Sequence, residues 1–509
     1  MAEVSRTARV IQNAKVALFF YCINLILQFF SRKIFLDYLG AELLGLNTTA
    51  QNLLQFLNLA ESGIGAAVAF ALYKPLSQKN RQEIIDIVSL QGWFYRWVGV
   101  FIIAGSIVLM AFFPWIFAKA DVPLIYAYGT FIAFLISALL GYFVNYKMIV
   151  LSADQKEYKI TIETQSIKVI KVFIQMLAIW KLPHGYVWWM VLEALAGVLT
   201  SLRLNCCIRR EYPWLASDLS RGKELRVQYS FVLTKTKQLF FHKIGGFVLG
   251  QTTPLIVYAF TTLSMVAIYG NYVLILGGCL LLVDALSRGL NAGVGNLVVN
   301  GDLKTIKDVF WQLQTIRLFF AGFICSGFFF LSESFVKLWV GDEYVMSLFP
   351  MSVLLAVYFI QMSRTCDIFL SAYGLFQDIW APVLESISSI VFSVLFGYFW
   401  GISGIFLGIL LSQLAINSWK PYFLYKCAFH ENISGYVVSY TKKLSMVLLL
   451  CCSSSIIDIQ IRGWIGWLQQ ALLLTLLYFS AGTALFYFTD KHFRFVARKI
   501  FNKMRSGFI

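Results

Sequence analysis

The sequence predicts an all-α polytopic membrane protein of about 14 transmembrane helices, arranged as two six-helix repeats plus two C-terminal helices. Composition, the recurrence of apolar runs and the placement of basic residues carry this reading. Of 509 residues, 59% are hydrophobic and 13% charged, whereas a soluble globular domain carries about a quarter charged. With a mean hydropathy of +0.72, a water-soluble chain is excluded.

A helical span needs about 20 apolar residues at roughly 1.5 Å rise per residue. Such runs fall at 14–36, 43–73, 92–115, 123–147, 160–180, 186–206, 238–260, 264–297, 313–332, 347–372, 380–400, 402–424, 443–458 and 464–488. Two are weaker: 160–180 carries Glu163, Lys168 and Lys171, and 443–458 is short. Without them the count falls to 12. The N-terminal run lacks a small-residue cleavage site and is followed by Arg32 and Lys33, so it is expected to stay attached as the first span.

Basic residues fix the orientation. With Arg6 and Arg9 on the cytoplasmic side, alternate loops are basic: Lys74, Lys79 and Arg81, then Lys147, Lys156 and Lys159, then Arg203, Arg209, Arg210, Arg221, Lys223 and Arg226, and finally the tail from Lys491. Loops on the other side, near 116–122, 181–185, 251–263 and 400–402, are short and almost free of them. The positive-inside rule then puts both termini in the cytoplasm of a bacterial inner-membrane protein. It also accounts for the +16 formal charge without nucleic acid. Nine cysteines lie mostly in apolar runs without C-x-x-C spacing, and four histidines are scattered. Neither a disulfide framework, a metal site nor a cofactor is expected, and no Walker A sequence is present for ATP.

An offset of 222 residues lays the second half over the first, helix on helix, from about residue 14 to 206. Lys15 then meets Lys237, Asp86 meets Asp308, Glu163 meets Glu385 and Ser166 meets Ser388. Six helices per copy is an even number, so both copies share one orientation about an axis along the membrane normal, a transporter plan. The expected division is 1–215, 216–432 and 433–509, the last holding two additional spans and a basic tail.

Polar residues inside spans are costly unless they line a cavity or pair with one another. Asn47, Gln51, Gln55, Asn58 and Ser62 share one helical face, as do Asn24, Gln28 and Arg32, and again Thr164, Lys168, Lys171 and Gln175. These faces point to a wet, positively charged interior; interhelical hydrogen bonding is the alternative. In the second half Asp284 and Arg288 sit at i, i+4, where they can neutralise each other. Lys237, His242 and Lys243 open the seventh span, where they can snorkel to the interface. Glu61, Glu163 and Glu385 with Asp284 and Arg288 are candidates for ion coupling.

Three segments resemble a known family. Leu44-Gly45-Leu46-Asn47, then Leu59-Ala60-Glu61-Ser62-Gly63-Ile64-Gly65-Ala66-Ala67 and Leu72-Tyr73-Lys74-Pro75-Leu76, are similar to the second span and first cytoplasmic loop of bacterial polysaccharide-repeat-unit (O-antigen and capsule) flippases of the Wzx type. Ala267-Ile268-Tyr269-Gly270-Asn271-Tyr272 with Gly295-Asn296 resembles their eighth span, and Ser152-Ala153-Asp154-Gln155-Lys156 one of their cytoplasmic loops. The resemblance implies the multidrug/oligosaccharidyl-lipid/polysaccharide exporter superfamily. It also implies a non-enzymatic role, moving an undecaprenyl-pyrophosphate-linked oligosaccharide between leaflets by alternating access. The partners would be that lipid-linked substrate, membrane lipids and, as a candidate, the glycan polymerase machinery. In such a role Lys15, Arg32, Lys168 and Lys171 would meet the phosphates, and Asn47, Gln51, Gln55 and Asn58 the sugar hydroxyls. The alternatives are a cation-coupled multidrug exporter and an integral-membrane glycan polymerase or ligase. No long periplasmic loop is present to carry the chemistry of the last.

The topology is testable with reporter fusions. Fusions after residues 120, 183, 262 and 401 should report periplasm, and those after 80, 153 and 218 cytoplasm. A periplasmic tail after residue 490 would make the span count odd and overturn the layout.

Overall fold

Apolar runs separated by short links leave the chain little choice but helix, because every buried backbone group must be paired within its own segment. The computed structural model describes the backbone of residues 6–375, 380–455 and 463–506, and most side chains there outside stretches within 238–249 and 284–300. Among the described residues the regular elements are all helical. They fall into two compact units, Met1–Ala267 and Ile268–Ile509.

The first unit begins with α1, Arg6–Asn58, which bends at Gly40 (φ 81°, ψ 172°). The first two predicted spans therefore meet at a glycine without a polar link. The run at 43–73 is not one helix. A 3₁₀ turn at Leu59–Glu61 and a left-handed Gly63 (φ 98°) interrupt it before α2, Ile64–Gln78. Gly63 adopts a conformation that costs a side-chain-bearing residue. Next come α3 (Arg81–Ala111), α4 (Leu124–Phe143), α5 (Glu157–Lys181), α6 (Gly185–Glu211) and α7 (Ser230–Phe260). Asn80 caps α3 by accepting from the Glu83 amide at 3.3 Å, while its own amide meets the Glu83 carboxylate at 3.1 Å. Helix α5 packs between α1 and α6, α4 against α6, and α2 against α3 and α7.

In the second unit, α8 (Leu263–Asn300, entering from the end of the first) leads to α9 (Leu303–Trp339), α10 (Leu348–Ser363), α11 (Cys366–Ala372) and α12 (Trp380–Leu424). Helix α12 bends at Trp400–Gly401, where two predicted spans meet. The limbs lie so close that a Cβ on Gly404 would fall 2.0 Å from the Phe396 carbonyl oxygen, and one on Gly408 2.4 Å from the Ser393 nitrogen. The chain ends with α13 (Ser434–Ser454), α14 (Gly463–Thr489) and α15 (Lys491–Ser506). Helix α9 is the hub, packing on α10, α13, α14 and α15. Phe319, Leu318, Val447, Tyr478 and Phe486 form its core with the C-terminal pair. The basic tail is the helix α15, and its Phe493 ring reaches Phe319 at 5.3 Å.

Among the described residues ten helices are long and apolar enough to cross a membrane, two of them 50 residues long. One takes in the first predicted span and the start of the second, the other both spans between 380 and 424; α5 and α7, which hold two further predicted spans, are not among the ten. Helix α13 starts at Ser434, ahead of the predicted span 443–458, and Lys443, which looked like a polar edge, is buried and paired with Asp490. Beside them His492 packs on the Trp311 ring. Burial and the charges of Lys443 and Lys491 push its imidazole down to about 4, so it is neutral at pH 7.

Gly404→Val and Gly408→Val should each lose about 1–3 kcal/mol through overpacking. Thermal unfolding followed by size exclusion in detergent would show it. Gly435→Ala, with nothing within 4 Å of the new Cβ, should leave the transition unmoved.

Candidate functional site

The break after α1 sets the most distinctive polar arrangement of the first unit. Because the chain leaves helical geometry at Ser62 and Gly63, Glu61 is delivered sideways toward α3 and α4. The Tyr95 hydroxyl donates to one carboxylate oxygen at 2.6 Å, and the Tyr142 hydroxyl lies 2.8 Å from the other. Tyr142 shares its donor with Asn58 Oδ1 at 3.1 Å. Both tyrosines are buried, and their rings meet edge to face at 5.4 Å. Among the described residues no cation pairs with Glu61. A carboxylate held only by hydroxyls in a broken span has no ion pair to lose when the helices around it move.

The amide face of α1 divides in two. Asn47 is buried and accepts from the Tyr186 hydroxyl at 2.8 Å, which in turn lies 2.5 Å from Thr130. Asn47 and Asn58 thus tie α1 to neighbouring helices. Between them Gln51 is exposed and Gln55 half-buried, and neither makes a hydrogen bond among the described residues.

The cations divide likewise. Lys171 is no free cation, since its ammonium meets both oxygens of Glu193 at 2.7 and 2.8 Å. Gln175 donates to the same carboxylate and to the Trp189 carbonyl, each at 3.1 Å. Lys168, one turn away, is exposed without an ion pair among the described residues, as is Lys15. Arg32 is half-buried and donates to the Ala267 carbonyl at 2.9 Å.

The paired carboxylates of the repeat register each face an arginine. Glu163 accepts from Arg203 at 2.9 Å, and the buried Glu385 is held by Arg364. Arg364 therefore pairs across to α12, and Asp367 pairs with Lys420. The side chains of Asp284, Arg288, His242 and Lys243 lie outside the described residues.

Sequence reasoning missed Glu193 and the two tyrosines of the Glu61 cradle. An acid in mid-span opposite a helix with two lysines was the available signal for Glu193. Tyr95 and Tyr142 read as ordinary apolar-span residues, and only the helix break reveals their target.

No protein-family model matches the sequence. No curated protein sequence matches it. Among solved structures, the fold is similar to that of the lipid II flippase MurJ in an inward closed conformation. That match has a TM-score of 0.67 at 14% identity over 94% of this chain and 99% of that one. It is also similar to an inward-facing multidrug resistance MATE family transporter of the MOP superfamily. There the TM-score is 0.60 at 13% identity, covering 82% of this chain and 99% of that one. At these identities the likeness establishes a shared membrane fold.

The Lys171–Glu193 pair gives a stability test. Lys171→Ala should cost about 1–3 kcal/mol by leaving the half-buried Glu193 carboxylate with Gln175 as its remaining donor, read as loss of folded protein on heating. Lys171→Ala with Glu193→Ala should recover most of it. Equal losses in the single and double variants would show that the pair is not coupled.

Proposed function

We propose that this chain is a flippase moving undecaprenyl-pyrophosphate-linked oligosaccharide repeat units from the cytoplasmic to the periplasmic leaflet of the bacterial inner membrane by alternating access. The observation that carries the reading is that in the first unit the amides of Gln51 and Gln55 and the cations Lys15 and Lys168 have no hydrogen-bond or ion-pair partner among the described residues. Groups of this kind suit sugar hydroxyls and phosphates. The similarity of fold to a lipid II flippase over nearly the whole chain supports it. In this reading Arg32 and Lys171 border the phosphate site, Asn47 and Asn58 hold the face in place, and the repeat 1–215 and 216–432, with 433–509 appended, supplies the two moving halves. Both termini stay in the cytoplasm, and no bond of the substrate is made or broken.

Energy must come from an ion gradient or from consumption of the product, since the sequence has no ATP motif. Glu61 is the foremost coupling residue because it exchanges only hydroxyl donors. Glu163 and Glu385 rank behind it, each needing to release an arginine, and Asp284 with Arg288 remains a further candidate. One observation favours a second reading, a cation-coupled multidrug exporter: a carboxylate without a cation, ringed by aromatics, would suit a cationic drug.

Reconstituted vesicles separate the two. Flipping of a polyprenyl-pyrophosphate oligosaccharide should exceed that of protein-free vesicles and fall at least about tenfold in Arg32→Ala/Lys168→Ala with protein level unchanged. Glu61→Gln should remove any dependence on an imposed pH gradient. Export of a cationic dye without lipid flipping would replace the proposal with the second reading.

A further inference from the structure

Beyond the faces just described, the first unit contains a second concentration of positive charge. Arg9 at the start of α1 joins Lys147, Lys156, Lys159 and Arg209, with Asp154 and Glu211, near the loop-side ends of α4, α5 and α6. Asp154 takes Arg9 at 3.1 Å and Lys156 at 2.8 Å. Glu211 takes Lys156 at 3.3 Å and also Lys159. Both carboxylates are thereby fully used. Burial opposes the Asp154 charge, yet bonds from Lys156 and Tyr212 with the charges of Lys156 and Arg9 hold its carboxyl below the usual range.

Lys147 and Arg209 receive no share of that compensation. They line one recess of about 420 Å³ between the end of α4 and the last turns of α6. Lys147 donates to the Leu215 carbonyl at 3.3 Å and lies 6.0 Å from the centroid of the Tyr146 ring, and burial together with Arg209 lowers its proton affinity. Arg209 is exposed and has no partner among the described residues. Asn205, one turn before Arg209 on α6, also lines the recess with an unengaged amide. Two cations facing one cavity without a carboxylate are an electrostatic debt that an anion would settle. A lysine, an arginine fork and an amide donor together match phosphate oxygens. Phe143, Val144, Ile208 and Leu215 form the apolar part of the same wall.

We propose that this recess is an anion site that binds a phosphate group through Lys147, Arg209 and Asn205. The apolar wall suits the phosphodiester of an anionic phospholipid whose chains remain in the bilayer; free phosphate shares the same chemistry. The site stands apart from the amide face of α1, and it does not rest on the transport reading.

The test uses the full-length purified protein and two probes, phosphatidylglycerol in phosphatidylcholine nanodiscs and inorganic phosphate. Retained lipid is counted by native mass spectrometry and affinity taken from thermal-shift titration. Phosphatidylglycerol should bind the wild type at least about tenfold more tightly than Lys147→Gln/Arg209→Gln. Arg209→Gln alone, at an exposed and unpartnered position, should weaken binding several-fold, which keeps the test decisive if the double variant does not fold. Lys147→Arg/Arg209→Lys should retain it. Arg210→Gln removes the same charge one residue away, outside the recess, and should change nothing. Stabilisation by inorganic phosphate that vanishes in Arg209→Gln would identify free phosphate as the ligand, and a response confined to the lipid arm would identify the headgroup. Equal binding by wild type and Arg209→Gln, or equal weakening by Arg210→Gln, would overturn the proposal.

Discussion

A polar side chain in a hydrocarbon environment must find a partner on a neighbouring helix, because water is not there to supply one. Much of the internal order of both units follows from this single requirement. Tyr186 links Asn47 to Thr130, and Lys171 and Gln175 share Glu193. Arg364 holds Glu385, Lys420 holds Asp367 and Lys443 holds Asp490. Each contact sets the rotation of one helix relative to another, which apolar packing against lipid-like surfaces specifies poorly. Polar groups left without such a contact are therefore the exceptions that need another explanation.

Glycine supplies the second constraint, at positions where a continuous helix would be too stiff. Gly40 and Gly401 bend double-length helices, and Gly63 starts α2 after the interruption that presents Glu61. At Gly404 and Gly408 the requirement is closeness instead, since the two limbs of α12 touch backbone to backbone. The same residue type thus does different work depending on whether φ or distance is limiting.

The all-helical, polytopic character was legible in the sequence because the apolar runs are long and the signal is summed over about 20 residues. Interruptions inside a run were not: the segment 43–73 averages as one apolar run although Asn58, Glu61 and Ser62 lie inside it, and a local φ leaves no mark on hydropathy. Charged residues misled in the opposite direction. Lys443 looked like the edge of a span because its partner, Asp490, stands 47 residues further along the chain. The helical stripes identified which residues share a face, but periodicity is blind to what stands across from it. Asn47 and Gln51 therefore looked equivalent, although one is engaged by Tyr186 and the other is exposed. The same blindness made Lys168 and Lys171 an identical pair.

The Lys443–Asp490 contact also has a temporal side. Lys443 lies within α13, where a buried ammonium is costly until it is paired. Its counter-charge follows α14 and is synthesised later. When α13 leaves the ribosome, the group that neutralises it does not yet exist. The pairing that satisfies α13 is therefore completed only after α14 has been made.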